Sequence, residues 1–257
     1  MKKQKVVYYS DELNDEFSSA QIQPKRIDAT YKYLREGFLQ KITDFIVYRI
    51  VATPIAYAYC KIKFKHKIKN KKVLKKIKSG YFMYGNHTQE IADAIIPHII
   101  SGPKKPYTIV HANNVSMKFV GKFTPSLGAL PLPDDITATK NFIACISKLI
   151  NQKNCVVIYP EAHIWPYYTD IRPFKENSFK YPVKLNVPTY CFTNTYQKRK
   201  FSKKPKIITY VDGPFYADKT LTPKEQELDL RNQIFNCMKN RSKLNNCEYV
   251  KYIKKEN

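Results

Sequence analysis

Residues 81–100 read Tyr-Phe-Met-Tyr-Gly-Asn-His-Thr-Gln-Glu-Ile-Ala-Asp-Ala-Ile-Ile-Pro-His-Ile-Ile. Four large apolar or aromatic residues are followed by a glycine and five polar residues, then by an apolar run of helical length. A short buried strand, a polar turn and a helix is the simplest reading, with a strand at Tyr81–Tyr84 and a helix at Ile91–Ile100. A histidine placed in such a turn, His87, faces the cleft at the carboxyl ends of the strands. An imidazole is the side chain best suited to take a proton from a hydroxyl near neutral pH. A carboxylate one turn on can accept the other ring N–H and fix the tautomer. Asp93 is the expected partner and Glu90 the alternative.

The same alternation continues outward. Strands are predicted at Tyr107–His111, Cys155–Tyr159, Pro188–Thr195 and Lys206–Val211, and helices at Val115–Phe123, Ala138–Asn151, Lys175–Leu185 and Pro223–Met238. Thr222, Pro223 and Glu225 form a capping-box start for the last helix. Alternation of this kind predicts an α/β fold, a mixed and largely parallel sheet flanked by helices.

Upstream, residues 1–30 read as a poorly structured arm. Residues 31–79 read as a membrane-interface helix followed by a basic segment, and residues 80–257 as the catalytic domain. From Tyr31 a helical pattern places Leu34, Phe38, Ile42, Phe45 and Ile46 at three- and four-residue spacing. The apolar stretch Ile42 to Cys60 carries Asp44, Arg49 and Pro54, so an amphipathic helix in the bilayer interface fits better than a free-standing span. Lys61, Lys63, Lys65, Lys67 and Lys69 alternate with Ile62, Phe64, His66 and Ile68, which predicts a strand with a lysine face. No acidic residue interrupts Lys61 to Lys78.

The chain has 257 residues, of which 43% are hydrophobic, enough for a folded core. Its formal net charge of +24 calls for an anionic neighbour: nucleic acid, a membrane surface or a phosphorylated substrate. Zinc-ligand spacing, RNA-binding aromatic motifs and a helix-turn-helix pattern are all missing, which argues against nucleic acid. The lack of a His-x3-His or His-Glu-x-x-His pair argues against a metallohydrolase built on His87, Asp93, Glu161 and His163. The six cysteines form no Cys-x-x-Cys pair and fit a reducing compartment. The polar, acidic stretch from Ser10 to Glu16 is not a signal peptide. His98 and His111 read as structural.

Further motifs recur in order. Cys155 to Tyr159 is a buried-strand run ending in Tyr159-Pro160-Glu161, and Val187-Pro188 follows later. With Asn86-His87 and Asp93, and with Gly128-Ala129-Leu130-Pro131-Leu132 between, these blocks resemble those of the lysophospholipid and glycerol-phosphate acyltransferases. That family carries Asn-His-x4-Asp, a Gly-centred block ending in Arg, Phe-Pro-Glu-Gly-Thr-Arg and Val-Pro. Pro173-Phe174-Lys175 and Ser178-Phe179-Lys180 echo its Pro-Phe-Lys-Lys-Gly-Ala-Phe. The likeness spans residues 80 to about 215.

Three departures stand out. The first block is His-x5-Asp. Pro133-Asp134 stands where the second block has arginine, and Ala162, His163 and Ile164 replace Gly-Thr-Arg. The resemblance implies transfer of a fatty acyl group from acyl-CoA or acyl-carrier protein to a lysolipid or glycerol-phosphate hydroxyl, as part of phospholipid biosynthesis. It implies His87 as general base with Asp93, and no metal or other cofactor. Asn86, Glu90, Gly128, Glu161, His163, Arg172 and Lys175 are then the candidate substrate contacts. Arg172 and Lys175 are expected to supply the phosphate-binding charge, and Trp165 either lines the acyl groove or packs. The expected location is the cytoplasmic face of the cell membrane, peripheral or monotopic, against an anionic surface.

Overall fold

A computed structural model of the chain describes residues 4–18, 23–34, 37–102, 104–118 and 120–256. Its centre is β3 (Tyr81–Gly85), buried along its whole length. Six further strands complete the sheet: β2 (Lys67–Lys69), β4 (Pro106–Val110), β5 (Ala129–Pro131), β6 (Cys155–Ile158), β7 (Thr189–Arg199) and β8 (Ser202–Phe215). Their order is β2-β8-β7-β3-β6-β4-β5. Every pairing is parallel except β7 with β8. This is the mixed, largely parallel sheet expected from the alternating pattern.

Side chains along β3 alternate between two cores, as the period of two requires. Phe82 and Tyr84 join Val156, Ile158 and Cys191 beneath α4 (Ile136–Asn151) and α6 (Pro223–Ser242). Tyr81 and Met83 join Phe192, Tyr196 and Val211 beneath the C-terminal end of α1 (Phe38–Phe64) and α2 (Ala92–Ser101). Two short helices, α3 (Asn113–Ser116) and α5 (Lys180–Leu185), complete the set. The α6 start carries its capping box, with the Thr222 N–H donating to Glu225 Oε2 at 2.9 Å.

The sequence expectations fail at four places. The N-terminal arm is not structureless: β1 (Lys5–Tyr9) pairs in parallel with β9 (Val250–Lys254), a partner more than 240 residues away that no local pattern can reveal. The first helix begins at Phe38, not Tyr31. The lysine-alternating stretch is helical to Phe64 and becomes a strand only at Lys67. There Ala56, Cys60 and Phe64 fall at four-residue spacing on one buried stripe, while the intervening lysines face water, so a helical face and an alternating pattern coincide. Lys65 in left-handed conformation ends the helix, with the His66 N–H returning to the Cys60 carbonyl at 3.2 Å. The predicted helix Val115–Phe123 is broken into α3 and a 3₁₀ turn, Val120–Lys122.

Two histidines tie the α1 side of the sheet together. His66 Nε2 lies 2.8 Å from Thr209 Oγ1, and His98 Nδ1 lies 3.2 Å from the Tyr48 hydroxyl. Burial pushes both rings down from 6.5 to about 4, with Lys61 and Lys105 respectively adding to it. Between those two pH values the unfolded chain takes up protons that the folded chain refuses. Stability should therefore be fully present above pH 6.5 and be lost as pH falls towards 4. For His66, 7% exposed, the loss is on the order of 3 kcal/mol. Denaturation midpoints at pH 4.5 and 7 should differ in that direction, and His66→Gln should flatten the difference; equal slopes in both proteins would refute the assignment.

Candidate active site

Gly85 closes β3. A Cβ there would lie 2.1 Å from the Phe192 ring, so only glycine lets the chain leave the sheet against β7. Asn86 follows. Its amide donates to the Asn194 carbonyl at 3.1 Å and accepts the Asn194 N–H at 2.8 Å. The asparagine expected to bind substrate is thus a clamp between the turn and β7, with both ends of its amide in use.

His87 comes next, at the carboxyl end of the central strand. Its N–H donates to Glu161 Oε2 at 3.0 Å, and its carbonyl accepts the Trp165 N–H at 3.1 Å. Its Nδ1 lies 3.0 Å from Asp93 Oδ2, with the histidine side chain 24% exposed and the aspartate 1%. The Tyr159 ring stacks on the imidazole, centroids 4.6 Å apart, while its hydroxyl donates to the Asp93 carbonyl at 2.5 Å.

The extra residue in His-x5-Asp is absorbed before the helix. Residues 86–89 are irregular and α2 begins only at Ala92. Asp93 Oδ2 accepts the N–H groups of Thr88 and Gln89, each at 2.7 Å, as well as the histidine. Asp93 Oδ1 accepts the Asn194 side-chain amide at 3.2 Å. Four donors around one buried carboxylate hold it in place. With Nδ1–H directed at Asp93, the Nε2 lone pair of His87 is free to act as a base. Glu90, the alternative partner, is exposed, and its charge is felt by Lys63 instead.

Glu161 and Arg172 are brought together but away from solvent. Arg172 is 1% exposed and Glu161 3%. Arg172 Nη2 donates to the Glu161 carbonyl at 3.1 Å and also to the His163 carbonyl, and lies 3.8 Å from Glu161 Oε2. Nη1 donates to the Glu12 carbonyl at 3.1 Å. Burial pushes Glu161 up and Arg172 down, each against the pull of the other's charge. A guanidinium so engaged presents nothing to an acceptor phosphate. The sequence expects Arg172 to bind the acceptor; the structure places it in the interior, where together with Glu161 it braces the turn that holds His87.

The other candidates separate. Gly128 is buried in left-handed conformation, φ +94°, and a Cβ there would meet the Pro106 carbonyl oxygen at 2.4 Å; it serves backbone packing. His163 is partly exposed, its Nδ1 3.1 Å from Glu16 Oε2. Lys175 is exposed ahead of the 3₁₀ turn Glu176–Phe179. Trp165 is fully buried, its indole N–H donating to the Asp15 carbonyl at 2.7 Å, so packing is its role. Among the described residues, the one trio of metal-capable side chains within 4.8 Å is Cys191, Asp212 and Cys237. It sits on the other face of the sheet, and Arg241 takes both oxygens of Asp212.

Two contacts to the dyad were missed. Tyr159 stands in the sequence only as part of a Tyr-Pro-Glu block, and Asn194 lies 101 positions from Asp93, in a strand whose composition says only that it is buried.

The Acyltransferase family model matches residues 62–193, just over half of the chain. No curated protein matches. Among solved structures, the chain is similar to the crystal structure of the 1-acyl-sn-glycerophosphate (LPA) acyltransferase PlsC from Thermotoga maritima. The two are 13% identical, with a TM-score of 0.53, over 79% of this chain and 87% of that one. At this identity the likeness speaks for the fold.

Proposed function

Because the chain belongs to the acyltransferase family, we propose that it moves a fatty acyl group from an acyl thioester to the hydroxyl of a lysophospholipid or glycerol-phosphate-type acceptor. One observation carries the reading: His87 Nδ1 is 3.0 Å from a buried Asp93 carboxylate while a quarter of its side chain reaches solvent. The acceptor hydroxyl gives its proton to His87 Nε2 as its oxygen attacks the thioester carbonyl carbon. Asp93 stabilises the imidazolium that results. Collapse of the tetrahedral intermediate breaks the carbon–sulfur bond, and His87 returns the proton to the leaving thiolate. Acyl-CoA and acyl-carrier protein are both acidic donors that a chain of net charge +24 attracts.

The substrates belong at a lipid surface, and α1 supports that location. Phe38, Leu39, Phe45, Ile50, Ile55 and Ile62 are all exposed along it, each able to contribute about 2 kcal/mol if covered by lipid. At 27 residues the helix is long and apolar enough to cross a bilayer. Tyr48, Ala56, Cys60 and Phe64 pack its C-terminal two-thirds on the domain instead, while Phe38–Phe45 buries nothing. A helix anchored on the domain at one end in this way suits a place in the interface, with its free, apolar end in lipid. The lysines from Lys61 to Lys78 continue from its C-terminal end and suit an anionic leaflet, at about 1 kcal/mol each. We place the chain on the cytoplasmic face, monotopic.

Thiol release from acyl-CoA and acyl-carrier protein, measured against a panel of lysolipids and glycerol phosphates, should require both donor and acceptor. Release that no hydroxyl acceptor accelerates would reject the reaction. Separately, the protein should co-sediment with anionic vesicles, less with neutral ones, and Ile50→Asp with Ile55→Asp should weaken both. Equal binding by the double variant would remove α1 from the membrane contact.

A further inference from the structure

The carboxylate that orients His87 is itself oriented by a row of polar side chains crossing the sheet. Asp93 Oδ1 accepts the Asn194 amide at 3.2 Å, Asn194 Oδ1 accepts the Thr209 hydroxyl at 2.6 Å, and Thr209 Oγ1 lies 2.8 Å from His66 Nε2. Asn194 and Thr209 are direct partners in the β7–β8 ladder, and Thr209 pairs with Ile68 of β2, two residues after His66. The row therefore runs from the start of the outer strand β2 across β8 and β7 to the first turn of α2. All four members are buried, at 0% for Asn194 and Thr209. Their neighbours on this face are apolar: Phe192, Tyr196, Ile207 and Val211.

Each link sets the polarity of the next. An Asn amide can face a neighbour with either end. The Thr209 hydroxyl proton, donated to Asn194 Oδ1, turns the NH2 end towards Asp93. That hydroxyl has its proton committed, so its oxygen accepts, and His66 supplies the donor from Nε2–H. A flipped Asn194 would aim a carbonyl at the Asp93 carboxylate. A buried row of this kind costs stability unless every member is satisfied, and apolar side chains would fill the same layer without that risk. We infer that Asn194, Thr209 and His66 are positioning residues for the His87–Asp93 pair, fixing the rotation of the carboxylate from the β2 edge of the sheet. The inference rests on the acyl-transfer reading for its kinetic consequence, and on the hydrogen bonds alone for its structural one.

The test uses the full chain and four variants. Thr209→Val keeps the shape and removes the donor; Asn194→Leu removes the amide; His66→Phe removes the last donor; and His66→Gln restores one near the Nε2 position. Misplacing a catalytic group by about 1 Å costs up to roughly 10²-fold. We expect kcat to fall about tenfold to a hundredfold in Thr209→Val, Asn194→Leu and His66→Phe, with the acceptor KM little changed. His66→Gln should recover most of the turnover that His66→Phe loses. In histidine-labelled protein, the His87 Nδ1–H resonance should be sharp in the parent chain and in His66→Gln, and broadened by exchange in the other three. Unaltered kcat and an unaltered resonance in Thr209→Val and Asn194→Leu would overturn the inference, even if both proteins melt earlier. The resonance needs no turnover. A parent chain that transfers no acyl group would defeat the proposed reaction, while the resonance would still decide the positioning role.

Discussion

His87→Ala should abolish acyl transfer and leave the protein folded. A general base contributes about 10² to 10⁴ in rate, and no other imidazole stands at the strand ends beside a buried carboxylate among the described residues. The fold should survive because the turn does not hang on the ring. The His87 N–H goes to Glu161 and its carbonyl takes the Trp165 N–H, and alanine keeps both. Asp93 would lose one of four donors but keep the Thr88 and Gln89 N–H groups and the Asn194 amide. The measurement is thiol release by parent and variant at equal concentration, with a thermal melt of each. A folded variant retaining more than about a tenth of the parent rate would remove His87 as the base.

The contrast between His87 and its neighbours shows what a sequence can and cannot convey. The strand, turn and helix around residue 87 were legible because β3 is a short apolar run and α2 a longer one, and Asp93 was legible because it follows in the same segment. The extra residue in the spacing could be read two ways. The choice was made by two backbone N–H groups, Thr88 and Gln89, that wrap the carboxylate before the helix starts, and backbone donors leave no trace in residue type. Asn194 and Thr209 were illegible for a different reason. Their meaning comes from strand register, which pairs them across a hairpin and sets Asn194 beside Asp93. Lys61–Lys69 misled because lysines at alternate positions with apolar neighbours suit an exposed strand, whereas burial of Cys60 and Phe64 selects the helix.

Arg172 shows where residue type stops informing. A cation a few residues past a block that has lost its arginine is a reasonable phosphate ligand until its burial is known. Arg172→Ala should act on stability and turnover, with the acceptor KM little affected. Removal leaves the Glu161 carboxylate in a dry interior without its cation, and frees the carbonyls of Glu161, His163 and Glu12 from their shared donor. Breaking one side of a buried pair costs about 3–5 kcal/mol, and in a domain of this size each kcal/mol lowers Tm by about 2–4 °C. A fall on the order of 10 °C is expected. Because Glu161 Oε2 also holds the His87 N–H, kcat should drop at temperatures where the variant is still folded. Glu161→Gln combined with Arg172→Met should regain part of the lost Tm, since neither side then leaves an unpaired charge. Calorimetry with acceptor titrations on the same samples separates the two roles. An unmoved Tm with a steep rise in acceptor KM would return Arg172 to the substrate, and would mean that the buried Glu161 needs no partner to keep the His87 turn in place.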